Sequence, residues 1–366
     1  MKKQLIWRAH YSGFGGITHA STSLVNAMLE QGVKLKIAPL KPINATDPLV
    51  QHVAMEKELN EGFVILHQLP TVAPESDGFY CVTEFETVPE EWWMPLNNCK
   101  VLFTQSEFCK EVFERIPGMD SSKIHVVGFP IDPSFSPTGI NLKHKIKNVK
   151  TGMYLQDYNF VFGSVFEWVC RKKPELMWEA FMREFPYKEY PNVGFVNKIG
   201  VPGGNYHDFR NWKNFVPKDP RIMVLNKNID DMGDFYRSLD AYCSPTAGEG
   251  WGATLAEAMS CGIPTIGSNH SGNLDFMDKD NSYLVDVEDW SYVGNDPTNM
   301  IPLIVKPNMR WKLPKIESIQ KAMREVYELK MAGKTNPKII EAIKIKDKFS
   351  HEKIGKQIAD IIPKYL

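Results

Sequence analysis

The sequence lacks the marks of several common protein classes. Its six cysteines are scattered, and no two lie within four residues of each other, so it has no C-x-x-C zinc or redox motif. It has no run of 18 apolar residues, which argues against a membrane-spanning helix. Its 43 basic and 44 acidic side chains nearly cancel, whereas a dedicated nucleic-acid binder has a strong basic excess. We therefore expect free thiols in a reducing compartment and no nucleic-acid partner.

The first ten residues also lack the long apolar stretch of a secretory signal peptide, which favours a cytoplasmic protein. Aromatic side chains are plentiful, with 20 Phe, 13 Tyr and 9 Trp, so the chain has ample apolar surface to bury in a folded core. A length of 366 residues is typical of about two domains.

Apolar runs alternate with helical patterns over most of the chain. Strand-like residues 4–9 are followed by a glycine-containing loop, a helical pattern that ends near Gly32, and a second strand at 33–38. A strand, a helix and a strand in this order favour a parallel sheet. A second alternating series begins near Phe160. The pattern predicts an α/β protein with two Rossmann-like, doubly wound domains.

The stretch 128–137 is rich in proline and has no periodicity, which is typical of an inter-domain linker. We therefore place an N-terminal domain at 1–134 and a C-terminal domain at 135–349. The end of the chain has a mostly helical pattern, interrupted at 333–337.

The most informative stretch is 244–267, which contains a strand, a glycine loop, a helix and a strand. Gly250 and Gly252 allow a tight turn and a close approach of a ligand to the backbone. The helix that follows presents N–H groups without helical partners and the positive end of its dipole. Such a helix start can bind an anion or a hydroxyl-rich ligand.

Two glutamates flank this helix start. Glu249 lies in the loop, and Glu257 lies about one turn inside the helix, where its side chain leans back toward the loop. Each carboxylate can accept two hydroxyl hydrogen bonds, which suits a polyol such as a ribose or a hexose. The alternative is a pair of solvated surface charges, but the flanking glycines and apolar residues favour a binding site.

A second candidate site lies in 163–174, between a predicted strand and a predicted helix. Open α/β sheets bind ligands at this end of their strands. Arg171 can bind a phosphate with two hydrogen bonds, and Lys172 or Lys173 can add a second positive charge. Cations at a helix N-terminus are unfavourable on their own, which supports an anionic partner, although a solvated basic helix start is the alternative.

The spacing Glu249-x7-Glu257, followed by Ala-Met-Ser-Cys-Gly-Ile-Pro-Thr-Ile, resembles the donor-site signature of retaining glycosyltransferases of family 4. Four weaker similarities to that family occur in the same order along the chain, at 104–110, 128–137, 239–241 and 271–275.

The resemblance implies the glycosyltransferase B fold, in which the two domains face each other across a cleft. In that fold the C-terminal helix, here about 350–366, packs back on the N-terminal, acceptor-side domain. The implied activity is the retaining transfer of a sugar from a UDP- or GDP-sugar to a hydroxyl of a saccharide, lipid-linked or protein-linked acceptor. The family needs no cofactor and no metal, because its basic pair takes the place of a metal ion.

Carried over to these positions, the catalytic residues are Glu249, Arg171 and Lys172. The resemblance implies that Glu249 binds hydroxyls of the transferred sugar, that Arg171 and Lys172 hold the diphosphate, and that the departing phosphate accepts the proton of the acceptor. Lys173 stays open as the alternative to Lys172. The implied substrate-binding residues of the helix start are Gly250, Trp251, Gly252, Thr254 and, at the ribose, Glu257.

Two N-terminal loops give weaker signals. Gly15 and Gly16 belong to a glycine loop, but Thr18 stands where a dinucleotide motif has its third glycine, so nicotinamide is not expected. In the resembled family this loop faces the donor phosphates and the acceptor, and a purely structural turn is the alternative. Glu84 and Glu86 lie where many relatives have a histidine that faces the acceptor; they either bind an acceptor hydroxyl or form a solvated acidic loop.

The segment 143–150 carries four lysines, which indicates either a solvated loop or a peripheral contact with an anionic membrane. Two other functions fit the same residues: a nucleotide-sugar epimerase or phosphorylase on a similar fold, or a non-catalytic nucleotide-sugar-binding module. The donor sugar, the acceptor and the oligomeric state remain open at this point.

Overall fold

The chain forms two compact units. Unit 1 consists of Met1–Asp132 and Lys348–Leu366, and unit 2 consists of Pro133–Asp347. The division falls inside the proline-rich stretch 128–137. The computed structural model describes residues 3–12, 16–44, 47–200, 214–294 and 306–366.

The first 132 residues form strands that alternate with helices. Strand residues here are mostly buried and apolar, as in Val101–Thr104, because a parallel sheet is covered on both faces. Ser106 begins one helix by accepting a hydrogen bond from the Cys109 N–H at 3.2 Å. The elements are β1 (Leu5–Ala9), α1 (Gly16–Glu30), β2 (Leu35–Pro39), α2 (Glu56–Glu61), β3 (Phe63–Leu66), β4 (Gly78–Tyr80), α3 (Trp93–Asn98), β5 (Val101–Thr104), α4 (Glu107–Glu114) and β6 (Ile124–Val126).

The sheet of unit 1 is parallel, with the strand order β2-β1-β3-β4-β5-β6. The order reverses between β1 and β3, since the chain first adds β2 on one side of β1 and then adds β3 on the other. Open α/β sheets bind ligands outside the carboxyl ends of the strands at such a reversal. The loop after β1 and the loop after β3 are therefore the candidate ligand-binding loops of unit 1.

Unit 2 repeats the alternation. Its core includes the fully buried Phe160, Phe162 and Phe195 beneath helices that pack on the sheet. The elements are β7 (Phe160–Glu167), α5 (Pro174–Glu184), β8 (Val193–Gly200), β9 (Ile222–Leu225), α6 (Met232–Tyr236), β10 (Ala241–Ser244), α7 (Ala253–Ser260), β11 (Thr265–Ser268), β12 (Tyr283–Val285), β13 (Ser291–Tyr292), β14 (Arg310–Trp311), α8 (Ile316–Met331), α9 (Pro337–Ile343) and α10 (Ile345–Lys348).

The main sheet of unit 2 is parallel, with the order β12-β11-β10-β7-β8-β9, and β13 pairs with β14 in a separate antiparallel ribbon. Its strand order reverses between β7 and β10. The basic loop after β7 and the glutamate loop after β10 therefore meet at one place, which neither sequence pattern could establish alone. The predicted α/β class with two Rossmann-like, doubly wound domains is confirmed.

The last helix, α11 (His351–Ile361), belongs to unit 1 and packs against α1. Gly355 allows this close packing, because an added Cβ would collide with the carbonyl oxygen of Ala27. Across the described part of the chain, no helix is both long enough and apolar enough to cross a membrane.

Candidate functional site

Three loops converge at the strand-order reversal of unit 2. The Ala247 N–H donates to the Arg171 carbonyl at 2.8 Å, which joins the loop after β7 to the loop after β10. The Gly272 N–H donates to the Glu249 carbonyl at 2.9 Å, which joins the loop after β10 to the loop after β11. These backbone bonds fix the loops that carry the charged side chains.

The central cluster is a carboxylate held by two cations. Glu249 is only 5% exposed. Its carboxylate lies 2.6 Å from the Lys172 ammonium and 3.0 Å from the Arg171 guanidinium. Burial alone would raise the pKa of Glu249, but the charges and hydrogen bonds of Lys172 and Arg171 lower it below its ordinary value. Glu249 is therefore ionised at neutral pH, and the cluster carries a net charge of about +1.

The sequence left Lys172 and Lys173 as alternatives, and the structure separates them. Lys173 has φ +43, a left-handed conformation at the residue before Pro174, where the right-handed helical region is disfavoured. Its ammonium lies 4.2 Å from the ring centre of Trp311 and 3.6 Å from the Glu175 carboxylate. Lys172, in contrast, binds Glu249. The geometry favours Lys172 as the second cation of the cluster.

The glycine loop after β10 ends at Gly252, whose φ of +97 favours glycine and whose position is the N-cap of α7. Thr254 is half-buried in the first turn of this helix. Trp251 is 2% exposed, and its ring lies 4.9 Å from that of Phe276, so the indole is part of the core. The backbone of 250–252 is therefore the group that this loop can offer to a ligand.

Glu257, the second glutamate of the motif, is half-buried on α7. One oxygen of its carboxylate accepts a hydrogen bond from the Tyr236 hydroxyl at 2.6 Å. Tyr236 lies at the end of α6 and is fully buried. Sequence reasoning missed Tyr236, since nothing in a short amphipathic helix indicates a contact 21 residues further along the chain.

Ser271 was also missed as a site residue. Its hydroxyl accepts the Glu249 N–H at 2.9 Å, and its backbone has φ +73, where non-glycine residues are strained. The strain is compatible with the fold because Ser271 and Gly272 together hold the Glu249 backbone. The similarity of 271–275 to the resembled family marked this loop, but the contact of Ser271 with Glu249 and its positive φ are visible only in the structure.

The candidate acceptor-side residues lie in unit 1. Gly16 begins α1 and is exposed, while Gly15 lies outside the described residues. Glu84 and Glu86 are half-buried in the loop after β4. Their role in binding an acceptor stays a prediction.

Unit 1 holds a buried histidine near its strand-order reversal that the sequence did not single out. His67 follows β3 at the strand-order reversal and is 3% exposed. Its Nδ1 lies 3.0 Å from the Ser21 hydroxyl, which itself donates to the Ile17 carbonyl at 2.8 Å. The single hydroxyl proton is thus used, so we assign the proton of the histidine to Nδ1 and an acceptor lone pair to Nε2.

Metal ligands do not cluster in the described part of the chain, where no group of three or more histidine, cysteine, aspartate or glutamate side chains could hold an ion. The Asp278-Lys279-Asp280 sequence forms an exposed turn in which Asp278 accepts the Asp280 N–H at 2.8 Å. The six cysteines are free and buried. The expected independence of a metal and of a cofactor stays a prediction.

The lysines of 143–150 are partly engaged within unit 2. Lys143 pairs with Asp240 at 2.8 Å, and the Lys150 ammonium donates to two backbone carbonyls, each at 3.2 Å. Lys147 lies 5.4 Å from the Tyr154 ring centre. These contacts give most of the basic residues a local structural role, and a peripheral membrane contact stays a prediction.

Comparison with known proteins identifies one family model and one curated relative with similar sequence. Residues 193–293 match the family model described as "Glycosyl transferases group 1". The match includes Glu249, Glu257, Tyr236 and Ser271. A curated relative, the capsular polysaccharide biosynthesis glycosyltransferase CapM of Staphylococcus aureus, is 25% identical over 185 residues, which are 49% of this chain. The match spans about half of that relative's length, 46%.

Solved structures resemble the whole chain. Alr3699/HepE of Anabaena, in complex with UDP and glucose, has a TM-score of 0.67 at 14% identity and covers 99% of both chains. WaaG, a glycosyltransferase involved in lipopolysaccharide biosynthesis, has a TM-score of 0.66 at 13% identity and covers 98% of this chain and 99% of its own. The chain therefore has the glycosyltransferase B fold, and its second half is similar in sequence to glycosyl transferases of group 1.

Proposed function

We propose that this chain is a retaining glycosyltransferase that moves a sugar from a nucleotide-diphosphate sugar to a hydroxyl of an acceptor in glycan or glycolipid biosynthesis. The observation that carries the proposal is the convergence of Arg171, Lys172 and Glu249 at the strand-order reversal of unit 2. A UDP-sugar is the first donor to test, because one fold neighbour was solved with UDP-glucose bound. The capsular polysaccharide relative supports a saccharide acceptor.

The two cations suit a diphosphate leaving group. Arg171 offers a planar set of N–H donors and Lys172 a compact charge, and both contact the ionised Glu249. A diphosphate gains negative charge as its bond to the sugar breaks. Fixed positive groups that already point at this charge lower the barrier, because they need no reorganisation during the reaction.

The transfer step breaks the bond between the anomeric carbon and the phosphate oxygen and forms a bond from the same carbon to the acceptor oxygen. Both events take place on one face of the sugar, so the anomeric configuration is retained. The acceptor loses its proton to the departing phosphate oxygen. In this step Arg171 and Lys172 stabilise the phosphate, while Glu249 accepts hydrogen bonds from hydroxyls of the transferred sugar.

The rest of the donor lies along the start of α7. The backbone N–H groups of 250–252 and the positive end of the helix dipole are available to the sugar and the diphosphate. Glu257 accepts hydrogen bonds from the ribose hydroxyls. In the proposal the enzyme acts in the cytoplasm without a metal ion, and unit 1, with Gly16, Glu84 and Glu86, binds the acceptor.

The test uses proton NMR to follow UDP- and GDP-sugars of known anomeric configuration, incubated with the protein, simple sugars as acceptors and a chelator. We expect release of the nucleoside diphosphate and a product with unchanged anomeric configuration. The Arg171→Ala variant should lose at least tenfold in rate, whereas Arg183→Ala, which removes an exposed arginine on α5, should not.

Other outcomes of this experiment contradict the proposal. A product with inverted configuration excludes the retaining mechanism. Isomerised donor in the absence of an acceptor indicates an epimerase. Donor binding without any product, across all the acceptors tested, indicates a binding module.

A further inference from the structure

The two glutamates of the donor motif have different partners. Glu249 is held by cations, which neutralise its charge. Glu257 accepts a hydrogen bond from a neutral phenol, that of Tyr236, at 2.6 Å. The phenol fixes the position of the carboxylate oxygen that it contacts, and, being neutral, it does not cancel the carboxylate charge. An oriented, charged carboxylate is a strong acceptor for sugar hydroxyls.

The phenol itself cannot turn away from Glu257. Its ring is fully buried and makes edge-to-face contacts with Phe135 at 5.9 Å and with Tyr242 at 5.5 Å between ring centres. The next residue, Arg237, anchors the end of α6 by pairing with Asp234 at 2.6 Å. The hydroxyl position is therefore set by the core of unit 2.

The phenol also stays protonated. Burial raises its pKa well above the ordinary value, and the negative charge of Glu257 raises it further. Tyr236 is consequently a hydrogen-bond donor at neutral pH. Its role differs from that of a general acid, which must release a proton.

We propose that Tyr236 is a positioning residue that fixes the Glu257 carboxylate for the cis-diol of a ribonucleoside, an inference that rests on the proposed function. A ribose offers two adjacent hydroxyls to one carboxylate, and a 2′-deoxyribose offers only one. A fixed carboxylate can accept both bonds at once, whereas a mobile carboxylate loses the benefit of the second. Tyr236 thereby makes the site selective for ribonucleotides over deoxyribonucleotides.

The experiment measures the dissociation constants of UDP and 2′-deoxy-UDP by calorimetry, for the full chain and for Tyr236→Phe. The substitution removes one oxygen and keeps the buried ring, so the variant should fold. We expect the wild-type protein to prefer UDP by about tenfold or more. In the variant, UDP should bind about three- to tenfold more weakly, while 2′-deoxy-UDP should be nearly unaffected. The preference should then shrink to about threefold or less.

The matched control is Tyr283→Phe. Tyr283 is also a buried tyrosine of unit 2, 4% exposed, and its hydroxyl bonds to Asn336 at 2.9 Å rather than to Glu257. It should leave both dissociation constants unchanged. If transfer is measured as well, Tyr236→Phe should raise the KM for the donor and leave kcat within about twofold, since the phenol does not touch the reacting atoms.

The outcomes separate the two proposals. Unchanged affinity for UDP in Tyr236→Phe, or an equal loss for UDP and 2′-deoxy-UDP, would overturn the positioning role and leave the proposed function standing. If the wild-type protein binds neither UDP nor GDP nor ADP, the proposed function fails, and the role of Tyr236 fails with it.

Discussion

The strand-order reversals of the two units have the same geometry and opposite chemistry. In unit 2 the loops after β7 and β10 bring together two cations and a carboxylate, Arg171, Lys172 and Glu249. In unit 1 the loop after β3 brings a neutral histidine, His67, into a cage of aromatic rings that includes Tyr80 at 4.6 Å and Phe129 at 6.3 Å. Equivalent places in the two sheets thus hold a charged cluster in unit 2 and a neutral buried side chain in unit 1.

The difference follows from whether neighbouring groups can compensate a buried charge. The charges of unit 2 compensate one another, so the buried Glu249 stays ionised with a lowered pKa. His67 has no such partner. Burial and the nearby His10 lower its pKa to about 3, and it therefore stays neutral. A charged cluster suits a diphosphate, whereas the caged His67 is a neutral side chain of the core of unit 1.

The largest effect on activity is expected at Lys172, in the charged cluster of unit 2. Lys172→Ala removes a charge-assisted hydrogen bond to a buried carboxylate and should lower kcat/KM for the donor by about tenfold to a hundredfold. The neighbouring Lys173→Ala is the matched control, since that ammonium lies over Trp311. It should change kcat/KM by less than about threefold. Steady-state kinetics with one UDP-sugar measure both; equal losses in the two variants would show that the cation cluster has been assigned incorrectly.

The second largest effect concerns His67 and the pH dependence of stability. The folded pKa of His67 is below the unfolded value, so the unfolded chain binds more protons and acidification favours unfolding. The stabilisation is present above pH about 6.5 and is lost as the pH falls toward 3. Acidification from pH 7 to pH 5 should therefore lower the free energy of unfolding by about 2 kcal/mol.

Denaturant titrations of His67→Gln measure this effect. The pH dependence of unfolding should become flatter by about that amount relative to the unsubstituted chain. His144→Gln, which replaces an exposed histidine, should leave the pH dependence as it is. An unchanged slope in His67→Gln would mean that His67 is solvated rather than buried.

The smallest effect concerns Ser271, whose hydroxyl accepts a hydrogen bond from the Glu249 N–H. Ser271→Gly loses the hydroxyl and relieves the strained φ, whereas Ser271→Ala loses the hydroxyl and keeps the strain. Both should lower kcat/KM about three- to tenfold, and the alanine variant should be less stable than the glycine variant by about 1 kcal/mol. Thermal unfolding and donor kinetics test the pair. Full activity in either variant would remove Ser271 from the site.

Much of the fold was accessible from the sequence because buried parallel strands are short apolar runs between helical patterns. Val101–Thr104 and Ala241–Ser244 are two such runs, and each is a strand in the structure. Glycine caps were equally clear: Gly32 and Gly262 both have positive φ after a helix. Strand bounds are less certain where tertiary contacts decide them, as at the end of β8, which pairs with β7 as far as Gly200.

The sequence predicted the site residues that stand in motifs of charged residues and glycines. It did not indicate the residues whose contacts depend on the packing of distant segments. Glu249 and Arg171 stand in motifs with strong local chemistry, so the sequence singled them out. Trp251 was assigned to the ligand from its place in a motif, yet its ring is in the core. Tyr236 and His67 have no motif, because their roles come from partners that are distant in sequence.

The most direct test of the account is a crystal structure of the protein with UDP, or with whichever nucleoside diphosphate binds. The account predicts diphosphate oxygens within hydrogen-bonding distance of Arg171 and Lys172, and ribose hydroxyls on the Glu257 carboxylate. A nucleotide bound with its diphosphate touching neither cation would contradict the central claim.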